Sequence, residues 1–317
     1  MFMIEGSQEI PEISPPAATP LHTHAADKLL DYLALTKPEI NALILLSTFA
    51  GGLFALASGE RNFAWFTLAN AVAGTALVAS GAGAANQGLE KHFDSQMTRT
   101  MRRPVAAARI PAANAIAFGG SLAVVGAAWL YFAVNPAAAM LAVFALGIYL
   151  LVYTPLKRRT PLCVPIGAVA GAIPPLIGWV ACGGALNLQA GVLFALLFLW
   201  QFPHFMAIAW ICRNDYQRAG YLVIPTGPIR DRFVALCTIV PTLALFAVSL
   251  VPILIWREFL FLPVACILGL AFLFFGVRLV ALKSDSAARR LLSASIYYLP
   301  LAFALLILAE SYGVAAH

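Results

Sequence analysis

Of 317 residues, 62% are hydrophobic and only 11% charged, with a mean hydropathy of +0.86 and a net charge of +6. Soluble domains carry about 25% charge, so a water-soluble globule is excluded and an integral membrane protein is indicated. The alternation of a membrane-spanning barrel is absent, which leaves an all-α polytopic chain.

Residues 1–26 contain Glu5, Glu9, Glu12 and several prolines but no basic residue. That pattern is neither a secretory signal nor an arginine-rich transit peptide, and it predicts a disordered arm over 1–30. A single membrane domain over 31–317 follows. Its apolar runs predict nine spans, at 39–58, 63–86, 112–134, 138–155, 162–182, 190–212, 233–256, 259–281 and 291–314. With the N-terminus on the cytoplasmic side, 18 of the 20 Lys and Arg residues fall on that side, leaving only Arg61 and Arg257 opposite. This asymmetry supports both the count and the orientation, with the C-terminus extracytoplasmic. Much of the net charge is therefore topology and calls for no nucleic acid.

Small residues recur within the spans, as in AVAGTALVASGAGAAN, and predict close helix packing. Pro174–Pro175 after Gly171 predicts a kink in span five, freeing carbonyls that need polar partners. The five cysteines are scattered without CxxC pairs and read as small packing residues.

The informative polar residues lie where even-numbered spans end. Asn86, Glu90 and Asp94 are spaced four apart, so on a helix they share a face over about 80° of arc and roughly 12 Å of rise. Acids are rare in so apolar a chain, and two at a membrane boundary point to function. Oxygen donors in this ladder suit a hard cation such as Mg²⁺, which takes one or two carboxylates and shares its remaining shell with phosphates and water. Arg99 and Arg103 then suit the phosphate oxygens. Lys157 and Arg158 approach from the next inner loop. Span six runs into Asp215 on the same side, a faint echo of the first site. The competing view is that Glu90 and Asp94 merely balance arginines at a wet interface.

Tyr153 and Tyr216 are candidates for hydrogen bonds to phosphate, against a packing role at the interface. His204 lies within span six, where an unpaired polar side chain would be costly. A ligand contact is one reading, and a hydrogen-bonded packing role the other. His92 lies on a different face and reads as solvated.

The pattern N86xxxE90xxxD94xxM97xR99T100xxR103P104 resembles the first motif of the UbiA-type intramembrane prenyltransferases. Its fuller form, with Y153TPLKRRT160, G171AIPPLIGW179, W200QFPHFMAIAW210 and D215YQRAG220, is similar to the protoheme IX farnesyltransferase (heme O synthase) branch. Matching motifs run in family order from T36KP38 through the 213–232 loop, about two-thirds of the chain. Two departures from the wider superfamily stand out. Glu90 occupies a position where Asp is usual, and Ala219 stands where a second acid often follows the first.

The resemblance implies a helical bundle around a central cavity open to the cytoplasmic side, in the plasma membrane of a bacterium. It implies transfer of the farnesyl group of farnesyl diphosphate to a vinyl group of heme B, with water added and diphosphate released, giving heme O. Asn86, Glu90, Asp94 and Asp215 would hold Mg²⁺; Arg99, Arg103, Lys157, Arg158, Tyr153 and Tyr216 would hold the diphosphate; and His204 would contact the heme iron or its propionates. Membrane lipid surrounds the chain, and a heme O-oxidising enzyme is the recipient that the analogy offers. Alternative readings are prenylation of an aromatic quinone precursor or a chlorophyll-type tetrapyrrole, and a transporter. A transporter would need polar residues continuing across the membrane, whereas here they gather on one side.

Overall fold

In the computed structural model the residues described are 25–59, 65–256 and 259–316. Among them, nine helices are long and apolar enough to cross a membrane: Pro38–Ala57, Trp65–Leu89, Ala112–Ala133, Pro136–Leu156, Cys163–Ala181, Leu188–Ile211, Ile229–Leu254, Phe259–Leu282 and Asp285–Tyr312. They are named here as spans one to nine. The expected and observed cores coincide, because hydrophobic length is written directly in the sequence. The ends move by a few residues, since polar residues such as Asp285 extend a helix beyond its apolar stretch.

Consecutive spans pack side by side, and span nine returns to span one, so the order around the bundle closes. Span five also packs against spans one, two and six. Its contacts need small residues. A methyl group added to Gly178 would strike the Thr48 carbonyl, and one added to Gly51 would strike the Pro175 carbonyl. Spans two and three approach in the same way, with Gly81 facing Gly119 and Gly74 facing Gly126.

The expected kink is present: span five consists of two helices, Cys163–Gly171 and Pro174–Ala181. Near the break, the Gln201 side-chain amide donates to the Ala168 carbonyl at 3.0 Å. The same carbonyl also accepts from the Ala172 N–H at 3.0 Å, so Gln201 ties span six to the last turn before the break. Span four carries a second irregularity, a π-helical turn over Ile148–Tyr153, closed by the Thr154 hydroxyl donating to the Tyr149 carbonyl at 2.8 Å.

Residues 25–30, expected within a disordered arm, are instead helical, part of Ala25–Leu35. One side of this helix is held firmly. Leu35 is fully buried, Tyr32 meets Phe118 edge-on with ring centroids 5.0 Å apart, and Asp31 takes a forked pair of bonds from Arg109 at 2.9 Å. Tertiary contacts therefore stabilise a helix of 11 residues, too short to be stable alone. The expectation for residues 1–24 lies outside the described residues.

Candidate active site

The ladder survives a break in its helix. Span two stops at Leu89, Glu90 adopts a turn conformation (φ −100°, ψ 10°), and a short helix covers Lys91–Asp94. Backbone bonds still run from Glu90 N to Asn86 O at 2.9 Å and from Asp94 N to Glu90 O at 2.8 Å. The four-residue register is kept, and Asn86, Glu90 and Asp94 are all buried.

Each oxygen donor holds a cation. Lys37 Nζ donates to Asn86 Oδ1 at 2.7 Å, and Asn86 Nδ2 donates to the Thr154 hydroxyl at 3.2 Å. Lys157 Nζ donates to both oxygens of Glu90, at 2.8 and 3.0 Å, and the Tyr221 hydroxyl adds a bond at 2.9 Å. Arg103 Nη1 reaches both oxygens of Asp94, at 3.1 and 2.9 Å. The segment that delivers Arg103 is itself anchored by the buried Thr100 hydroxyl on the Asp94 carbonyl at 2.8 Å.

Asp215 arrives from the short helix Arg213–Arg218 after span six. It accepts from the backbone N–H of Arg99 at 3.2 Å and pairs with Arg218, which also bonds the Thr98 hydroxyl at 2.7 Å. The two halves of the site are therefore tied together through residues 98–103. A second tie runs from the Leu222 N–H to the Lys157 carbonyl.

The local fields follow from these contacts. Burial opposes ionisation of Glu90, but the charge and hydrogen bonds of Lys157, with the Tyr221 hydroxyl, hold its carboxyl below the usual range. Burial likewise works against the Lys157 ammonium, and Glu90 overcomes it to raise that pKa. Lys37 differs. Burial first, then repulsion from Arg103 and Lys157, lowers its pKa to about 7 despite Glu90 and Asp94. Asp215 is slightly opposed by burial, yet the Arg99 N–H and Arg218 hold it low.

The remaining expected residues divide. The Tyr153 ring lies under Lys157 at 4.7 Å and Tyr216 meets Tyr221 edge-on, so both join the cluster as aromatic walls. Arg99 lies close to Asp94 and Asp215 electrostatically, but its ion pairs with them are not formed. Arg158 caps the Phe93 ring at 4.7 Å, and that ring stacks on Tyr221. His204 is separate, in span six, with Nδ1 2.7 Å from the Ser295 hydroxyl and its ring stacked on Trp200 at 4.6 Å. His92 is exposed and bonds Gln96, as its place on another face implies.

Sequence reasoning missed Lys37, Thr154 and Tyr221 as site residues. The TKP motif before span one was the available signal for Lys37, which takes a left-handed conformation (φ 54°) at the helix start. Thr154 needed the π-helical turn to be foreseen. Nothing local distinguishes Tyr221.

The donor set fits a divalent cation carried by a diphosphate. Among the described residues no three His, Cys, Asp or Glu side chains form a closed metal cage. The Asn86, Glu90 and Asp94 oxygens are held here by Lys37, Lys157 and Arg103, so a Mg²⁺ ion would take the place of those cations on them while phosphate completed its shell. Lys37, Lys157 and Arg103 surround the same space with positive charge suited to the anion.

Comparison with known proteins identifies the family. Residues 44–308 match the UbiA prenyltransferase family. The chain is 42% identical over 285 residues to the protoheme IX farnesyltransferase of Solibacter usitatus, covering 88% of this chain and 98% of that protein. It is 40% identical over 277 residues to that of Flavobacterium johnsoniae, covering 86% and 91%. A solved digeranylgeranylglyceryl phosphate synthase shares the fold at a TM-score of 0.68 and 16% identity, covering 90% of this chain and 99% of that one. A UbiA homologue from Archaeoglobus fulgidus, solved with GPP and Mg²⁺, superposes at a TM-score of 0.55 and 15% identity, covering 87% and 99%. This chain belongs to the UbiA prenyltransferase family and is an integral membrane transferase.

Proposed function

We propose that this member of the UbiA prenyltransferase family transfers the farnesyl group of farnesyl diphosphate to a vinyl group of heme B, giving heme O. The observation that carries the reading is the buried Asn86–Glu90–Asp94 ladder facing Lys37, Lys157 and Arg103, together with the named relatives. The site faces the cytoplasm of a bacterium, across its plasma membrane, following the distribution of Lys and Arg.

In this reaction the C–O bond of farnesyl diphosphate breaks, and its electron pair leaves with the diphosphate. The vinyl π pair forms the new C–C bond, and water adds to the resulting cation and loses a proton. Mg²⁺, held by Asn86, Glu90 and Asp94 with Asp215 nearby, would supply charge stabilisation for the leaving group. Arg103, Lys157 and the unpaired Arg99 stabilise the same developing charge, more strongly in the transition state than in the ground state. The Tyr153, Tyr216 and Tyr221 rings wall the polar mouth and shelter an allylic cation from early capture by water.

His204 supplies a heme contact. The Ser295 hydroxyl donates to the Leu292 carbonyl at 2.6 Å, so it accepts from His204 Nδ1–H. Nε2 is then left unprotonated, with the lone pair that iron ligation requires.

Membranes carrying the protein, incubated with heme B, farnesyl diphosphate and Mg²⁺, should yield heme O detectable by mass. Product formed only from an aromatic acid acceptor would defeat the assignment.

A further inference from the structure

A cleft of about 780 Å³ opens between spans eight and nine, away from the carboxylate ladder. Its lining divides sharply along its length. At one end lie Arg289, Arg290 and Ser286, beside the Ser293 hydroxyl; the rest is apolar, with Leu268, Phe272, Phe275 and Leu301 among its walls. Phe272 and Tyr298 stack at 4.7 Å and give this part a rigid side.

The basic end is on the same face of the bundle as the active site. Arg213, which follows span six, pairs with Asp285 at the start of span nine at 2.6 Å, one turn before Arg289. The neighbouring cations have partners: Arg213 takes Asp285 and Lys283 takes Asp231 at 2.7 Å. Arg289 and Arg290 are exposed and make no ion pair among the described residues. Two unpaired guanidiniums therefore crown an apolar trough, a combination that calls for an anionic head on an apolar body.

We propose that this cleft binds an anionic phospholipid, its phosphate on Arg289 and Arg290 and one acyl chain laid between spans eight and nine. Length favours a lipid over a second tetrapyrrole. Arg289 and Leu301 are separated by about 18 Å of helix, close to the roughly 15 Å depth of one hydrocarbon leaflet. No His, Cys or Met lines the trough; of its two tyrosines, Tyr298 is buried against Phe272 and Tyr297 is exposed, so a heme would find no imidazole, thiolate or thioether ligand there.

The test is native mass spectrometry of the full-length protein in neutral detergent, titrated with phosphatidylglycerol or phosphatidylcholine. Phosphatidylglycerol should bind about tenfold or more tightly than phosphatidylcholine, given two arginines at the membrane surface. The R289Q/R290Q double variant should lose that preference. Ala294→Phe, which fills the trough and leaves the charges intact, should weaken phosphatidylglycerol retention by a similar factor. Equal binding of the two lipids, or a preference that survives the double variant, overturns the proposal. Displacement of the lipid by equimolar inorganic phosphate would assign a free-anion site instead, and displacement by heme a tetrapyrrole site; either result also overturns it.

Discussion

Lys157 closes directly on Glu90, its Nζ bonding both carboxylate oxygens although the two residues lie 67 positions apart at the ends of different spans. The pair is mostly buried, with side-chain exposures of 12% and 6%. Removing one partner therefore leaves the other charge short of compensation. Glu90→Gln should lower turnover by about 10²-fold or more while the protein still inserts, read by heme O formation and membrane yield. Unchanged turnover at saturating Mg²⁺ would remove Glu90 from the site. The lowered Glu90 pKa sets the pH window. The pair stabilises the fold above the ordinary carboxylate range and loses that contribution as pH falls through the depressed value.

Arg103 grips Asp94 with one nitrogen shared between two oxygens. Arg103→Ala should raise the KM for farnesyl diphosphate about tenfold, and Arg103→Lys should recover only part of it, because an ammonium lacks the planar fork. Steady-state kinetics over farnesyl diphosphate concentration decide this. A normal response in Arg103→Ala would exclude a diphosphate role.

Lys37 acts with the same sign as Glu90 but in a higher pH window. Its folded pKa of about 7 lies below that of an unfolded lysine. Between these values the unfolded chain binds more protons, so this residue makes stability rise with pH from about 7 upward. Melting in Mg²⁺-free detergent at pH 7 and pH 9 should show that rise in the parent protein and a flatter response in Lys37→Gln. Equal slopes would show that Lys37 stays charged at neutral pH.

Gly178 sets how closely spans one and five approach. Gly178→Ala should destabilise by about 1–3 kcal/mol, since its methyl meets the Thr48 backbone rather than a movable side chain. A lowered melting temperature in detergent is the readout. An unchanged value would mean the spans separate at no cost.

Ser295→Ala tests the proposed tautomer of His204 separately from the histidine itself. His204→Ala should abolish the heme-linked absorption change on titration. Ser295→Ala should weaken it several-fold by releasing Nδ1, as orienting partners of ligand histidines do. Identical spectra for parent and His204→Ala would confine His204 to packing against Trp200.

What could be read from the sequence was whatever the chain encodes locally. The spans follow from apolar length, and the Asn86–Glu90–Asp94 register survives because bonds four residues apart persist through the break at Glu90. The division of span five follows from Pro174–Pro175. Thr154 and Tyr221 were not legible, and the TKP motif marked Lys37 without its role, because each acquires its partner only when distant spans meet. Arg158 has the same charge as Lys157 one residue away, and the fold alone gives one the Phe93 ring and the other Glu90. The helix Ala25–Leu35 was hidden for a related reason: its support comes from Phe118, Arg109 and Gln87, none of them near in sequence.

The wide turn at Ile148–Tyr153 has a consequence for how this protein tolerates change. A π-helical turn accommodates one residue more than an α-helical one over nearly the same height, so it aims everything that follows it. Deleting a single residue there would rewind span four, swing Thr154 and Lys157 by about 100°, and leave Asn86 and Glu90 without them. Loss of one uncharged residue from this turn would then silence the enzyme more completely than many substitutions at the charged mouth.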